Sequence, residues 1–420
     1  MKKTALQLFF LLTVFISIKV QAQTSADYTQ AATTVQYRFI GTFDQKKLNN
    51  ILTTELAEFL NGSPMPEKDF RGQFARPKYN VKLYEVKYHS YIPEFGNRPT
   101  VASGLVAVPD NGLDSMPVIS YQHGTVFSKT QVPSHPDESM ETKLMLAQYA
   151  SQGYIVIGAD YFGMGSSDLP NAYLIKNSTE QACVDMLLAS RDVLRSLKIK
   201  SGPLFLHGWS QGGWNTMLFL RKLESLNIPV MAATTASAPV DALLTIEKWI
   251  NNYEPGDAVY LPPSATNFLF SYEYYAQMPG LAKRAIKPEY YQVAKDFFEF
   301  KADWDTYMQV TGGKTVQGVL EPAFRAKGNV PAQDPFWASL DAMEVYKWRC
   351  QTPLLNYYGE VDEVLPPYVA QLPEGFHKVM GSPNTKAVNA GPKADHRATY
   401  VYSVVHARAF YEQFLKNKNL

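Results

Sequence analysis

The sequence has few cysteines and no excess of charge of either sign. Among its 420 residues only Cys183 and Cys350 are cysteines, which excludes a small fold held together by many disulfide bonds. Two buried free thiols are the simpler interpretation, and a Cys183–Cys350 bridge is the alternative. The 40 basic and 39 acidic side chains leave a formal charge of +1. A surface that binds nucleic acid through a strong basic charge is therefore excluded.

Long hydrophobic runs are also missing after the first 22 residues. Those residues have the pattern of a signal peptide: Lys2 and Lys3, an apolar run over 6–18, and the small-residue cleavage site Val20-Gln21-Ala22. No later run reaches the roughly 18 apolar residues of a transmembrane helix, so we expect no integral membrane segment. The pattern predicts an exported protein, periplasmic or secreted.

What the sequence does contain is an alternation of short apolar runs with helical stretches. The predicted strands cover 81–88, 101–108, 117–121, 154–158, 203–206, 229–234, 353–358 and 386–390. Long helices are predicted over 179–197 and 397–415. Such alternation indicates an α/β fold with a mainly parallel sheet and helices on both faces.

Two segments depart from this alternation. Residues 23–80 predict an N-terminal arm that is loosely ordered at its start and helical over 43–60. Residues 241–350 are dense in aromatic side chains at helical spacing and predict a small helical subdomain. Most of its rings should pack that subdomain, while some should face a cavity that it covers. The core is then expected over 81–240 and 351–420.

One motif points to a nucleophile. Gly208-Trp209-Ser210-Gln211-Gly212 has the pattern G-x-S-x-G, directly after a predicted strand and at the start of a helix. At such an elbow the serine adopts a strained backbone, and Gly208 and Gly212 avoid steric collision on either side of it. The motif predicts Ser210 as a nucleophile, and a serine in an ordinary strand-to-helix turn is the alternative.

A nucleophilic serine needs a base, and in this motif's chain order the histidine follows it. Three histidines follow Ser210. His377 lies near a predicted strand, and His406 lies inside the last helix. His396 lies in the loop 391–397 between the last strand and the last helix, where the base is required. We predict His396 as the base; a surface histidine that caps the helix is the alternative.

The carboxylate that orients the base should follow the strand 353–358. Glu360, Asp362 and Glu363 compete for this role. Asp362 fits best because the chain must turn at Gly359 before a carboxylate can reach back toward His396. A solvated acid in the turn is the alternative for Asp362.

An oxyanion hole needs two backbone N–H donors. The residue after the nucleophile, Gln211, supplies one. The loop after an earlier strand supplies the other, with Thr125 as the donor and Gly124 allowing the turn. His123 is then a structural residue that shapes this loop.

Two aromatic residues are candidate substrate contacts. Trp209 stands beside the nucleophile, and Tyr161 lies in the loop 160–167 after the fourth predicted strand. The glycines of that loop lack the third glycine of a dinucleotide-binding motif, so we reject a nucleotide site. No group of His, Cys and Asp has metal-ligand spacing, so no metal site is predicted.

The sequence resembles the α/β-hydrolase superfamily, and in particular its secretory lipase branch, in the segments QHGT, ADYFGMGSSDLPNAYL and GWSQGG. The resemblance covers about 81–414 and leaves the N-terminal arm outside. It implies an α/β-hydrolase fold in which 241–350 form a helical cap inserted after the sixth strand. It also implies hydrolysis of carboxylic esters through Ser210, Asp362 and His396, without a cofactor.

The predicted function is an exported serine ester hydrolase that acts on a small-molecule, lipid or glycan ester. If the aromatic rings of the cap hold the acyl chain, kcat/KM should rise with acyl length. A serine exopeptidase is one alternative, with Glu254, Asp257 and Glu273 as candidates for binding an amine. A catalytically idle binding protein of the same fold is the other. The sequence leaves oligomeric state open.

Overall fold

The structure is a computed structural model that describes residues 28–325 and 334–416. The predicted signal peptide lies outside the described residues. Cys183 and Cys350 are both buried free thiols, so the simpler of the two interpretations is confirmed.

Within the described residues one sheet has the strand order β1-β2-β3-β4-β6-β5-β7-β8-β9-β10. The strands are β1 (Thr29–Ala32), β2 (Val35–Phe43), β3 (Val81–Ile92), β4 (Arg98–Pro109), β5 (Ser115–Gln122), β6 (Ile155–Ala159), β7 (Lys200–Trp209), β8 (Ala232–Ala236), β9 (Leu354–Tyr358) and β10 (Thr385–Asn389). Strands β1 to β4 pair antiparallel, as do β4 and β6. From β6 to β10 all neighbours are parallel, as predicted.

All eight predicted strands are present, and two more precede them. The loosely ordered start predicted for the N-terminal arm was wrong over 29–43, where β1 and β2 extend the sheet beyond β3. Only Val35, Tyr37 and Phe43 of β2 are buried, and its register shifts near Gly41. The apolar alternation that identifies a strand is therefore weak in this segment.

Helices cover both faces of the sheet. They are α1 (Gln45–Asn50), α2 (Leu56–Phe59), α3 (Met140–Gln148), α4 (Lys176–Ser196), α5 (Gln211–Ser225), α6 (Ala242–Asn251), α7 (Leu261–Tyr275), α8 (Leu281–Ala285), α9 (Pro288–Phe298), α10 (Trp304–Thr311), α11 (Val316–Val319), α12 (Pro335–Leu340), α13 (Pro367–Val379) and α14 (His396–Lys416). A π-helical segment, Ile51–Glu55, joins α1 to α2. These three elements together form the helix that the sequence predicts over 43–60. None of the described helices is both long enough and apolar enough to cross a bilayer.

Two hydrophobic clusters lie on opposite faces of the sheet. Phe205 and Leu206 are neighbours on β7 and point to opposite faces, and they belong to different clusters. The cluster of Leu206 includes α4, α5 and residues from the helices between β8 and β9. The cluster of Phe205 includes α3, α14 and the N-terminal helices. The N-terminal segment is thus part of the core, although the domain boundaries themselves stay a prediction.

The described part of the segment between β8 and β9 consists of helices joined by turns and loops, and its β-pairing is an isolated bridge between Ile286 and Leu320. Helices α6 to α12 lie in this segment. Its aromatic side chains mostly pack against one another; Phe268, for example, contacts Tyr272 with ring centroids 4.5 Å apart. This agrees with the helical segment and the packing role that the sequence predicts.

Candidate active site

Ser210 occupies a sharp turn between β7 and α5. Its backbone angles are φ 55° and ψ −124°, a conformation that residues other than glycine rarely adopt. The Ser210 N–H donates to the carbonyl of Ala236 at 2.9 Å, which ties the turn to β8. A Cβ at Gly208 would collide with the backbone of Gly212, and one at Gly212 would collide with the Gln122 carbonyl. The geometry predicted for this motif is therefore present.

His396 and Asp362 form a buried hydrogen-bonded pair. His396 is the first residue of α14, and Asp362 lies in the loop after β9. His396 Nδ1 lies 3.0 Å from each carboxylate oxygen of Asp362, with the two side chains only 2% and 3% exposed. Asp362 Oδ1 also accepts the N–H groups of Val364 and Leu365, at 2.9 and 3.0 Å. These contacts hold the carboxylate rigidly against the ring.

The pair shifts the pKa of both members. Burial alone would lower the pKa of His396, but the charge of Asp362 and its hydrogen bond, with the charges of Glu363 and Asp395, raise that pKa overall. Burial likewise acts to raise the pKa of Asp362, and the facing imidazole outweighs it, so the pKa of Asp362 is lowered. Asp362 therefore stays ionised and favours the protonated form of His396.

The two competing carboxylates have other partners. Glu360 accepts a hydrogen bond from Asn389 Nδ2 at 2.6 Å on the exposed side of the loop. Glu363 accepts the backbone N–H of His396 at 2.9 Å and the hydroxyl of Tyr260 at 3.3 Å. Only Asp362 of the three contacts the imidazole, while Glu363 joins His396 to the helical segment between β8 and β9.

The loop that contains Thr125 lies beside Ser210, with its supporting residues behind it. His123 is buried, and its Nδ1 lies 2.9 Å from the Gly124 carbonyl. Burial lowers the pKa of His123 to about 4, so the ring is neutral at pH 7. Tyr161 stacks on this ring with centroids 4.2 Å apart and donates its hydroxyl to the His123 carbonyl at 3.2 Å. These contacts agree with the structural role predicted for His123.

Tyr161 does not contribute to the cavities at Ser210. It is almost fully buried behind His123 and lines neither of the two cavities described below. The predicted substrate contact of Tyr161 is therefore corrected to a supporting role for the loop. Trp209 does line a cavity at Ser210, and its Nε1–H donates to the His396 carbonyl at 3.0 Å.

Sequence reasoning missed Glu141, which anchors the Thr125 loop. Its Oε2 accepts the Gly124 N–H at 2.8 Å and the Tyr121 hydroxyl at 3.2 Å. A Cβ at Gly124 would stand only 3.0 Å from Glu141 Oε1, so the loop lies directly on this carboxyl group. Burial raises the pKa of Glu141 to about 8. A neutral carboxyl group thus stands under the predicted oxyanion loop at pH 7, and no motif marks it.

Two cavities meet at Ser210. The larger, of about 310 Å³, is lined by Ser210, Thr125 and His396, with Trp209 and Phe59 on its wall. The smaller, of about 20 Å³, is lined by Ser210, Thr125, Gln211 and a group of mostly apolar residues, Tyr173, Leu174, Pro239, Trp249, Tyr260, Leu261, Ser264, Val364 and Leu365. The predicted nucleophile, base and both oxyanion donors therefore lie around one point.

Phe59 was not predicted as a site residue. It ends α2, lies in edge-to-face contact with Trp209 at 6.1 Å between ring centroids, and its carbonyl accepts a hydrogen bond from Arg397. The segment that the resemblance left out thus supplies a wall of the larger cavity. A helix whose apolar residues pack on the core gives no sequence signal that one ring reaches a site.

The acids proposed for binding an amine lie elsewhere. Asp257 pairs with Lys248 at 2.9 Å, and Glu254 lies 3.7 Å from the same ammonium. Glu273 accepts the backbone N–H of Ala282 at 2.8 Å. None of the three acids lines either cavity at Ser210. Across residues 28–325 and 334–416, no group of three His, Cys, Asp or Glu side chains is arranged to hold a metal ion.

Solved structures share this architecture over most of the chain. A protein from Legionella pneumophila described as a candidate hydrolase has a TM-score of 0.77 at 22% identity, covering 91% of this chain and 98% of that one. The rice cell wall degrading esterase LipA from Xanthomonas oryzae has a TM-score of 0.74 at 21% identity, with the same coverage. The chain has the α/β-hydrolase fold.

A further solved structure and one curated protein are also similar to this chain. Candida antarctica lipase A in its closed state has a TM-score of 0.63 at 14% identity, covering 93% of this chain and 83% of that one. A curated relative, bifunctional epoxide hydrolase 2 from Sus scrofa, is 24% identical over 192 residues. The match spans 44% of this chain and only 29% of that protein. No family model matches. At these identities the similarities establish the α/β-hydrolase fold alone.

Proposed function

We propose that the protein is an exported serine esterase that cleaves carboxylic esters through an acyl-enzyme intermediate. The observation that carries the proposal is that Ser210, at its strained turn, lines the same cavity as His396, whose imidazole is paired with the buried Asp362. A serine in that conformation has no structural need to be there, because glycine would adopt it without strain. The esterase and lipase names of the structural neighbours support the same reaction class.

In the proposed reaction Ser210 Oγ attacks the ester carbonyl carbon while His396 Nε2 takes its proton. Asp362 holds Nδ1–H and stabilises the imidazolium that forms. The carbonyl oxygen becomes an oxyanion and accepts the N–H groups of Thr125 and Gln211. The tetrahedral intermediate then collapses, and His396 protonates the leaving alkoxide. Water, with His396 again as base, releases the acid and restores Ser210.

In the described part of the chain, no hydrogen bond joins Ser210 Oγ to His396 Nε2, although both residues line the same cavity. Such contacts commonly tighten only when substrate binds. The proposal therefore requires that Ser210 Oγ and His396 Nε2 come within hydrogen-bond distance when substrate binds.

The experiment compares Ser210→Ala with the parent enzyme on p-nitrophenyl esters. Because no other side chain can take the position of the Ser210 hydroxyl at this turn, we expect kcat to fall by roughly 10³-fold or more with the fold intact. Ser225→Ala, at the exposed end of the same helix, is the matched control and should leave kcat unchanged. A fluorophosphonate should label the parent and Ser225→Ala, and should leave Ser210→Ala unlabelled. Full ester hydrolysis by Ser210→Ala would refute the mechanism.

The same assay separates the other candidate functions. A serine exopeptidase would cleave an aminoacyl anilide faster than an aryl ester, and an idle binding protein would hydrolyse neither and resist the fluorophosphonate. Export is part of the proposal and has its own measurement: N-terminal sequencing of the mature protein should begin near Gln23.

A further inference from the structure

Tyr260 lies at the point where the two cavities meet. In the described part of the chain, three residues line both cavities: the proposed nucleophile Ser210, the proposed oxyanion donor Thr125, and Tyr260. The proposed reaction gives a role to the first two. Tyr260 directly precedes α7, in the helical segment between β8 and β9, and no motif marks it. Its position beside the nucleophile indicates a part in the reaction.

The hydroxyl of Tyr260 is bound to Glu363. It donates to Glu363 Oε1 at 3.3 Å, while Glu363 Oε2 accepts the backbone N–H of His396 at 2.9 Å. One carboxylate therefore joins the tyrosine hydroxyl to the main chain of the proposed base. Burial and the charges of Glu363 and Asp362 raise the pKa of Tyr260, so its hydroxyl keeps its proton and remains a donor.

The bond to the His396 N–H fixes the base where its helix begins. His396 is the first residue of α14, and the first N–H groups of a helix have no partner within that helix. The Glu363 carboxylate supplies the partner, and a negative charge is favourable at a helix N-terminus. Without this bond the main chain of His396 can shift, and its imidazole moves relative to Ser210. A displacement of about 1 Å between reacting groups can cost about 10²-fold in rate.

The same helical segment holds the backbone of the Glu363 loop. The Ala258 N–H donates to the Glu363 carbonyl at 3.1 Å, and Trp249 Nε1–H donates to the Val364 carbonyl at 3.0 Å. The Val364 N–H in turn donates to Asp362 Oδ1 at 2.9 Å. The carboxylate of Glu363 therefore extends from a loop that the helical segment already holds in place.

We propose that Tyr260, acting through Glu363, is a positioning residue for His396. The inference rests on the proposed esterase function. It gives the helical segment between β8 and β9 a part in the chemical step, in addition to lining the cavities. Loss of the Tyr260 hydroxyl should lower kcat and leave KM nearly unchanged, because the ring that lines the cavities remains.

The test compares Tyr260→Phe with the parent enzyme on a p-nitrophenyl ester. We expect kcat to fall by about tenfold, the effect of one hydrogen bond to a charged group, with KM within about twofold. Tyr275→Phe is the matched control. Tyr275 lies on α7, donates its hydroxyl to the Pro170 carbonyl at 2.8 Å and lines neither cavity. This control should leave kcat within about twofold.

A double-mutant cycle tests the route through Glu363. Glu363→Ala removes the acceptor of both hydrogen bonds and should lower kcat by about tenfold or more. Adding Tyr260→Phe to that variant should cost less than about a further twofold, because the hydroxyl has already lost its partner. If the two losses of kcat multiply in full, the Tyr260 hydroxyl does not act through Glu363 and the proposal is overturned.

The outcomes separate the inference from the function on which it rests. If Tyr260→Phe keeps the parent kcat, whether or not KM rises, the positioning role is overturned while the esterase function stands. An equal loss of kcat in Tyr275→Phe also overturns that role, because the effect then comes from the packing of α7. If the parent hydrolyses no ester and does not react with the fluorophosphonate, the proposed function fails and the inference fails with it.

Discussion

At the scale of single residues, the proposed mechanism predicts that the buried charge of Asp362 makes a large contribution to the catalytic effect of His396. Asp362→Asn keeps the shape of the side chain but favours the wrong histidine tautomer and removes the charge that stabilises the imidazolium. In a well-studied serine protease this change costs about 10⁴ in kcat. We expect a loss of several orders of magnitude here, measured as kcat on an aryl ester. Glu360→Gln is the matched control and should cost less than about tenfold, because Glu360 contacts Asn389 and not the ring.

The pH profile tests the same pair independently. His396 must be neutral to accept a proton, so activity falls as pH falls through its pKa. Because Asp362 holds that pKa above the ordinary value of 6.5, the acid limb of kcat/KM should lie above pH 6.5. In Asp362→Asn the limb should move to lower pH, since the charge that raised the pKa is gone. A limb that does not move between the two enzymes would contradict the role of Asp362.

The sequence predicted the residues that chain order and turn geometry define. Ser210 follows from its flanking glycines, and His396 and Asp362 follow from their loops after predicted strands. Glu141 could not be found in this way. It lies on a helix and reaches Gly124 only through the tertiary fold. Tyr161 was misassigned because a residue in a loop near the site need not face it.

At the scale of elements, the first turn of α3 should hold the proposed oxyanion loop, which contains Gly124 and Thr125, in place. Glu141→Ala removes the acceptor of the Gly124 N–H, and the loss of one oxyanion donor elsewhere costs about 10²–10³ in kcat. We expect a fall in kcat of at least tenfold with a smaller change in KM. Glu141→Gln should recover most of the activity, because the carboxyl is neutral at pH 7 and glutamine offers the same acceptor. Equal losses in both variants would mean that α3 acts only through packing.

Stability offers a second measurement of the same group. Between pH 4.5 and about 8 the unfolded chain releases the Glu141 proton while the folded protein keeps it. The unfolded state therefore binds fewer protons there, and the contribution of Glu141 to stability falls as pH rises. Glu141→Gln should lose less stability than the parent over this window, as measured by denaturant unfolding at several pH values.

The strands that sequence patterns predict best are those buried on both faces. Strands β5 and β6 consist of short apolar runs, and their existence and order were predicted. Strand β2 was missed because several of its side chains are exposed and its register shifts. A local pattern cannot reveal a strand whose stability comes mainly from pairing with β3.

At the scale of the whole molecule, the N-terminal segment belongs to the core. Leu48 is fully buried in the cluster that also contains α3 and α14. Leu48→Ala should lower the free energy of unfolding by about 2–5 kcal/mol. The matched control is Leu113→Ala, because Leu113 is 59% exposed, and its effect should stay within about 0.5 kcal/mol. Denaturant unfolding measures the change in the free energy of unfolding for both variants. If the two changes are equal, the N-terminal segment does not contribute to the stability of the core.

Both backbone polar groups of His396 are hydrogen-bonded to residues adjacent in sequence to Asp362 and Ser210. Its N–H is bound by Glu363, next to Asp362, and its carbonyl is bound by Trp209, next to Ser210. The three loops are therefore cross-linked to one another rather than only to the sheet beneath them. When the sheet fluctuates, the three loops should therefore move as one rigid unit and keep the distances between Ser210, His396 and Asp362 constant.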